Sequence, residues 1–199
     1  MKQRTIIHGV VLASFCLGFG ILLAATKDFT ATEISLRQVE DLQNSLTQVI
    51  PPGLHDNSPV KDAITLKGDD GKDVVVYRAT KAGKLTGVAY EVRGQGYGGE
   101  IRLIMGVDAE GKILGVRALQ HKETPGLGDK IDAAKSDWIT RFTGLGLGSP
   151  PKDAWKVKKD GGQFDQFSGA TITPRGVVGA IRGGLEFFAA HKAELLEVR

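Results

Sequence analysis

The chain has 199 residues, ample for one domain with a sizeable core, and its formal net charge is +3. Set aside Lys2 and Arg4 at the start and the balance is 24 basic to 23 acidic residues with no long basic run, which argues against nucleic acid as a partner. Cys16 is the only cysteine, so an intrachain disulfide and iron–sulfur ligation by the chain itself are excluded, and the four histidines (His8, His55, His121, His191) are too scattered for a zinc site.

Residues 6–25 run without a charge, about 20 residues, which is enough to span a bilayer core. Cations ahead of this stretch, and only Lys27 close behind it, favour an N-terminus on the cytoplasmic side. A cleaved signal peptide is the alternative. Its small-residue cleavage site would be poor, since Leu23-Ala24-Ala25 and Ala25-Thr26-Lys27 are imperfect, and Phe15 is too large before a lipoprotein cysteine at Cys16. The expectation is an uncleaved anchor.

Residues 32–49 place Ile34, Leu36, Val39, Leu42, Leu46 and Val49 at mostly helical spacing, and Pro51-Pro52-Gly53 ends that helix. A turn-rich stretch over 51–72 holds one short strand candidate at 63–66. Four β-branched segments follow, 73–80, 85–93, 101–108 and 112–120, with hairpin-length joins at Lys81-Ala82-Gly83-Lys84 and Ala109-Glu110-Gly111. Between the second and third of them lies Gly94-Gln95-Gly96-Tyr97-Gly98-Gly99. Four glycines around a tyrosine suit either a mobile connection or a backbone that approaches a flat ligand closely. The segment is not a phosphate-binding glycine loop, because a strand rather than a helix follows it.

Next comes His121-Lys122-Glu123-Thr124-Pro125-Gly126-Leu127-Gly128-Asp129-Lys130-Ile131, in which Pro125-Gly126 suits a tight turn. A short helix is expected over 131–142 with Trp138, Ile139 and Phe142 facing inward, then a loop over 144–151 and a short strand over 155–157. The last helix is expected from Pro174 to about Glu197, with Val177, Ile181, Leu185 and Phe188 on one face and a weak point at Gly183-Gly184. The pattern as a whole is α+β: an antiparallel sheet flanked by helices, preceded by one N-terminal transmembrane helix.

The segment Asp165-Gln166-Phe167-Ser168-Gly169-Ala170-Thr171-Ile172-Thr173 carries the most chemistry. Gly169 and Ala170 leave the backbone before Thr171 nearly bare. Thr173 reads as an N-cap and Pro174 as the first helical residue, which puts Thr171 just outside a helix N-terminus, where a phosphate is favoured. A plain loop before a capped helix fits the same residues. The cluster Lys156, Lys158 and Lys159 reads as a solvated face, with one lysine available to a phosphate nearby.

This segment resembles the flavinylation motif of the FMN-binding domain, in which a separate flavin transferase esterifies the last threonine of S-G-A-T with FMN. The resemblance makes Thr171 the acceptor and Asp165, Ser168, Gly169, Ala170 and Thr173 motif residues. The stretch from His121 to Ile131 is similar to the E-T-P-G-L-G segment in the G subunit of the Rnf electron-transport complex, as are Ser136-Asp137-Trp138-Ile139 and the run from Trp155 to Gly162. With that likeness Tyr97 joins the flavin site; Thr124, Leu127 and Gly128 are then placed to contact the flavin ring, Glu123 either joins them or simply orients the loop, and Lys158 is the lysine assigned to the phosphate. The likeness implies an electron relay with no catalytic acid or base, no metal and no substrate turnover of its own. The implied partners are the other Rnf subunits and, during maturation, the transferase. The implied location is a bacterial inner membrane, crossed once, with a cytoplasmic N-terminus and a periplasmic FMN domain. The expected division is 1–27 tail and anchor, 28–58 helical linker, 59–199 FMN-binding domain. Two rivals stand beside it: the C subunit of a sodium-translocating NADH:quinone reductase, usually a longer chain, and an anchored scaffold that is never flavinylated.

Overall fold

The computed structural model describes residues 2–68, 71 and 73–196. Met1 and residues 197–199, including the expected helix end at Glu197, lie outside them. The chain divides into two compact units, Met1–Leu42 and Gln43–Arg199. One helix, α1 (Lys2–Val49), fills the first and enters the second, so the helix expected over 32–49 is the end of a longer, unbroken one. Its apolar side chains Leu12, Phe15, Leu17, Phe19 and Leu23 are exposed, and it is long and apolar enough to cross a membrane.

The second unit holds a five-stranded antiparallel sheet in the sequence order β1 (Ile64–Lys67), β2 (Asp73–Lys81), β3 (Lys84–Gln95), β4 (Glu100–Asp108) and β5 (Ile113–Gln120). Each strand pairs with the next because the joins are short. Alternation along the strands gives the sheet two apolar faces. On one face the last turn of α1 buries Leu46 and Val49; the Val49 carbonyl occupies the space that a side chain at Gly106 would need, and the Gln48 carbonyl and Val49 Cα lie 3.1 Å from where one at Gly115 would stand.

The other face carries α2 (Ile172–Leu196), lying along β3. Small residues set that close approach. The Gly176 carbonyl abuts Gly94 and the Gln95 backbone abuts Gly176. One helical turn further on, the Ala180 methyl fills the remaining space against Gly94. The expected weak point at Gly183-Gly184 is not a break. Gly184 sits against Met105 and Val92, and its carbonyl accepts the Tyr90 hydroxyl at 2.7 Å. Tyr90 is fully buried, and burial drives its phenol well above the ordinary tyrosine range.

Two expected elements are corrected. The helix over 131–142 is two 3-10 turns, Gly128–Ile131 and Trp138–Phe142. A polar side chain claims a group a helix would use between them: the Ser136 hydroxyl accepts the Trp138 N–H at 3.1 Å. Trp138, Ile139 and Phe142 do face inward. The strand over 155–157 reduces to one bridge, Val157 to Phe164, because a 3-10 turn at Lys158–Asp160 and a left-handed Gly161 reverse the chain at once. Trp138, Phe142, Trp155, Phe164 and Phe167 pack ring against ring and fix this region to the core.

Candidate flavin site

Three loops converge at the N-terminus of α2. The first is the β3–β4 hairpin turn, closed by the Gly96 N–H donating to the Gly99 carbonyl at 2.8 Å. Tyr97 stands at its tip, 74% exposed. The second is the turn Thr124–Leu127, where Gly126 has φ +78° after Pro125, as a type II turn requires, and the Thr124 carbonyl accepts the N–H groups of Leu127 and Gly128 at 3.1 Å each. Thr124 and Leu127 are exposed and Gly128 is buried.

The third is the turn Phe167–Ala170, with Gly169 at φ +80° and the Ala170 N–H donating to the Phe167 carbonyl at 3.1 Å. Its entry is held by Trp138, whose indole N–H donates to the Asp165 carbonyl at 2.9 Å while its ring packs edge-on to Phe167. Ser168 and Gly169 are exposed, and Ala170 and Thr171 half-buried.

Glu123, in the second loop, ties that loop to the first and to the first turn of α2. It is 6% exposed and its two oxygens are taken by three donors. Oε1 accepts the Gly98 N–H at 2.9 Å; Oε2 accepts the Tyr97 N–H at 3.2 Å and the Thr173 hydroxyl. Side chains at Gly96 and Gly128 would fill the space this carboxylate occupies; at Gly128 a methyl would lie 2.8 Å from both Glu123 Oε2 and Thr173 Oγ1. The Leu127 side chain reaches Gly169, 3.5 Å from where a methyl on Gly169 would stand, so the second loop touches the third.

The capping expectation is corrected here. α2 begins at Ile172, and the Thr171 carbonyl accepts the Arg175 N–H at 3.3 Å, so Thr171 itself caps the helix. Thr173 is inside the first turn, fully buried, with its hydroxyl spent on Glu123. Pro174 is tolerated two residues into the helix because N–H groups of the first turn have no helical partner to lose. The Thr171 side chain makes no hydrogen bond among the described residues.

Lys158 does not stand free beside Thr171. Its ammonium lies 2.6 Å from Asp165 Oδ1, with Arg141 3.4 Å from Oδ2. The Lys158 hydrogen bond and charge, with Arg141, hold the Asp165 carboxyl below the usual carboxylate range against the opposing effect of burial. Arg175 grips Asp160 through both nitrogens at 2.5 and 2.6 Å. Two ion pairs thus brace the motif from below, an arrangement that sequence spacing does not show. Asp129, absent from the expected set, is 6% exposed and its Oδ1 has no partner among the described residues.

The arrangement fits FMN. A free hydroxyl at a helix N-terminus can carry a phosphate ester, and exposed Tyr97, Leu127 and Ile172 offer apolar surface around it. Gly96 and Gly128, where any side chain would collide with Glu123, let the hairpin and the second loop close on that carboxylate. No group of three or more His, Cys, Asp or Glu side chains suited to a metal ion occurs among the described residues. A groove of about 370 Å³ lined by Gly111, Gly146, Leu147 and Phe188 lies elsewhere, toward the far end of α2, and shares no residue with these loops.

The fold is that of an α+β domain, and residues 96–186 of it match the family model described as FMN-binding domain. The chain is 52% identical over 195 residues to the G subunit of the ion-translocating oxidoreductase complex of Cereibacter sphaeroides (strain ATCC 17029), covering 98% of this chain and 89% of that one. It is 45% identical to the same protein of Vibrio vulnificus, over 95% and 92% of the two chains. Among solved structures, Shewanella oneidensis NqrC matches at a TM-score of 0.50 and 27% identity, over 76% of this chain and 73% of that one. The chain belongs to the G-subunit family of ion-translocating oxidoreductase complexes. The NqrC likeness fits the first rival reading, but at about half the identity seen with the Cereibacter relative.

Proposed function

We propose that this chain is the flavoprotein component of an Rnf-type ion-translocating complex and relays electrons through an FMN esterified by its phosphate to Thr171. The observation that carries the reading is Thr171 itself: an N-cap threonine with an unengaged side chain, at the meeting point of three loops, inside the span matched by the FMN-binding model. In the esterification Thr171 Oγ1 gains a bond to the FMN phosphorus and loses its proton, while the phosphoanhydride bond of an activated FMN donor, supplied by a separate flavin transferase, breaks and its other phosphate portion leaves with the proton. When bound, the flavin supplies the redox chemistry. The chain holds the phosphate end at the α2 N-terminus, surrounds the ring with Tyr97, Leu127 and Ile172, and restricts water on that side.

The resemblance and the apolar helix α1 support a single-pass anchor in a bacterial inner membrane, with the N-terminus cytoplasmic and the flavin domain periplasmic. A covalent link suits that compartment, where FMN once lost could not be recovered from the cytosol. The other subunits of the complex are the electron donors and acceptors. The reading is tested by co-expressing full-length protein with an active transferase and viewing denaturing gels under ultraviolet light. The wild type is expected to fluoresce and Thr171→Ala to be dark. Dark bands in both would favour the unmodified scaffold.

A further inference from the structure

We infer that Glu123 is the positioning residue of the flavin site, setting where Thr171 and the Tyr97 loop stand, and that His121 and Asp132 orient it. The inference rests on the flavin reading above and adds residues to it. Glu123 does not present its carboxylate to a ligand. Both oxygens are used within the chain, by Tyr97 and Gly98 of the hairpin and by Thr173 of α2, 26, 25 and 50 residues away. Thr173 is two residues beyond Thr171 in the same helical turn, so fixing its hydroxyl fixes the acceptor.

The donor pattern requires a carboxylate. An N–H points at each oxygen, so a group that accepts at both is needed. Glutamine would oppose one of these N–H groups with its own NH2, orphaning a buried donor. The glycines are part of the same device, because Gly96 and Gly128 leave the space that the carboxylate fills.

Glu123 is itself held from behind. Its backbone N–H donates to His121 Nδ1 at 3.1 Å, which requires that nitrogen to be bare. The ring proton is then on Nε2, which faces Asp132 Oδ1 at 3.1 Å. A continuous set of bonds therefore runs from Asp132 through His121 and Glu123 to the hairpin amides and the first turn of α2. The links from Glu123 join segments distant in sequence.

The test uses the full-length chain with four variants: Glu123→Gln, Thr173→Val, Thr173→Ser and His121→Phe. Three readouts are taken: flavinylation rate with the co-expressed transferase, amide exchange at Tyr97 and Gly98 in protein made without transferase, and the flavin midpoint potential. Folding is checked by the fluorescence of buried Trp138 and Trp155. Glu123→Gln is expected to slow flavinylation about tenfold, the scale that orphaning one buried donor produces. It should also speed exchange at Tyr97 and Gly98 and raise the potential, since a buried negative charge beside the flavin disfavours reduction. Thr173→Val and His121→Phe should slow flavinylation less, and Thr173→Ser should restore the wild-type rate. Folded Glu123→Gln protein with wild-type rate, exchange and potential would overturn the inference. Should Glu123→Gln fail to fold, Thr173→Val and Thr173→Ser decide: equal rates overturn the inference, and a slow valine variant with a rescued serine variant supports it. A dark wild type with fast exchange only in Glu123→Gln would defeat the flavin reading while upholding the positioning role.

Discussion

The glycines of α2 separate into two kinds, and the pair Gly183 and Gly184 tests that separation. A methyl added at Gly183 meets nothing within 4 Å, so alanine there brings only its helix preference, about 1 kcal/mol of added stability. A methyl at Gly184 would stand 2.6 Å from both Met105 Cε and Val92 Cγ1. Those side-chain ends can shift, so the cost is that of overpacking, about 1–3 kcal/mol, against the same gain of about 1 kcal/mol. The two alanine variants should therefore differ by about 1–3 kcal/mol, with Gly183→Ala the more stable. In a unit of this size that separates their midpoints by roughly 3–10 °C. Thermal unfolding of the full chain in detergent, followed through Trp138 and Trp155, reads the difference, because both indoles are buried in the globular unit. If Gly184→Ala were as stable as Gly183→Ala, α2 would not rest on β3 and β4 as described. The placement of Thr171 at the end of that helix would fall with it.

Tyr90→Phe should cost about 1 kcal/mol in chemical denaturation, since it removes the hydroxyl that donates to the Gly184 carbonyl at 2.7 Å. Because burial raises the Tyr90 phenol in the folded chain, its contribution is complete below the ordinary tyrosine value of about 10 and is lost as pH rises beyond it. Alkaline unfolding should accordingly set in at higher pH in Tyr90→Phe; an unchanged alkaline limb would refute this. Asp165 titrates below the usual carboxylate range, so its tether to Lys158 and Arg141 is present above about pH 4 and is lost only as pH falls through the depressed value. Carbon-detected titration should show that depression relaxing toward normal in Lys158→Met, and no change there would remove Lys158 as its cause. Gly128→Ala should lower both stability and flavinylation, because its methyl would lie 2.8 Å from the Glu123 and Thr173 oxygens. Wild-type flavinylation in that variant would count against the convergence of the three loops.

The strands were legible because each is a β-branched run bounded by turn residues, and the sheet order follows from short joins. The helix ends were less so. Thr171 and Thr173 both suit a cap, and Pro174 favours the second choice by local rules; a bond from Thr173 to Glu123, 50 residues away, decides the matter. That Glu123 orients its loop was one of the readings open from the sequence, but its partners were not, since they come from the hairpin and from α2, 25 to 50 residues away. Ser136 and Gly161 broke the elements expected around them through a side-chain bond and a backbone conformation that periodicity does not register. The aromatic cluster around Trp138 could be foreseen as core but not as the support on which Asp165 and Phe167 rest. What the motif residues did show was the start of the last helix, which begins at Ile172, next to Thr171.

The central claim is tested most directly by peptide mass spectrometry of full-length protein purified from cells that express an active flavin transferase. The account predicts FMN, linked through its phosphate, on the peptide containing Thr171, with fragmentation placing the adduct on Thr171 and not on Ser168 or Thr173. Flavin on another residue, or a Thr171 peptide with no adduct despite active transferase, would contradict it.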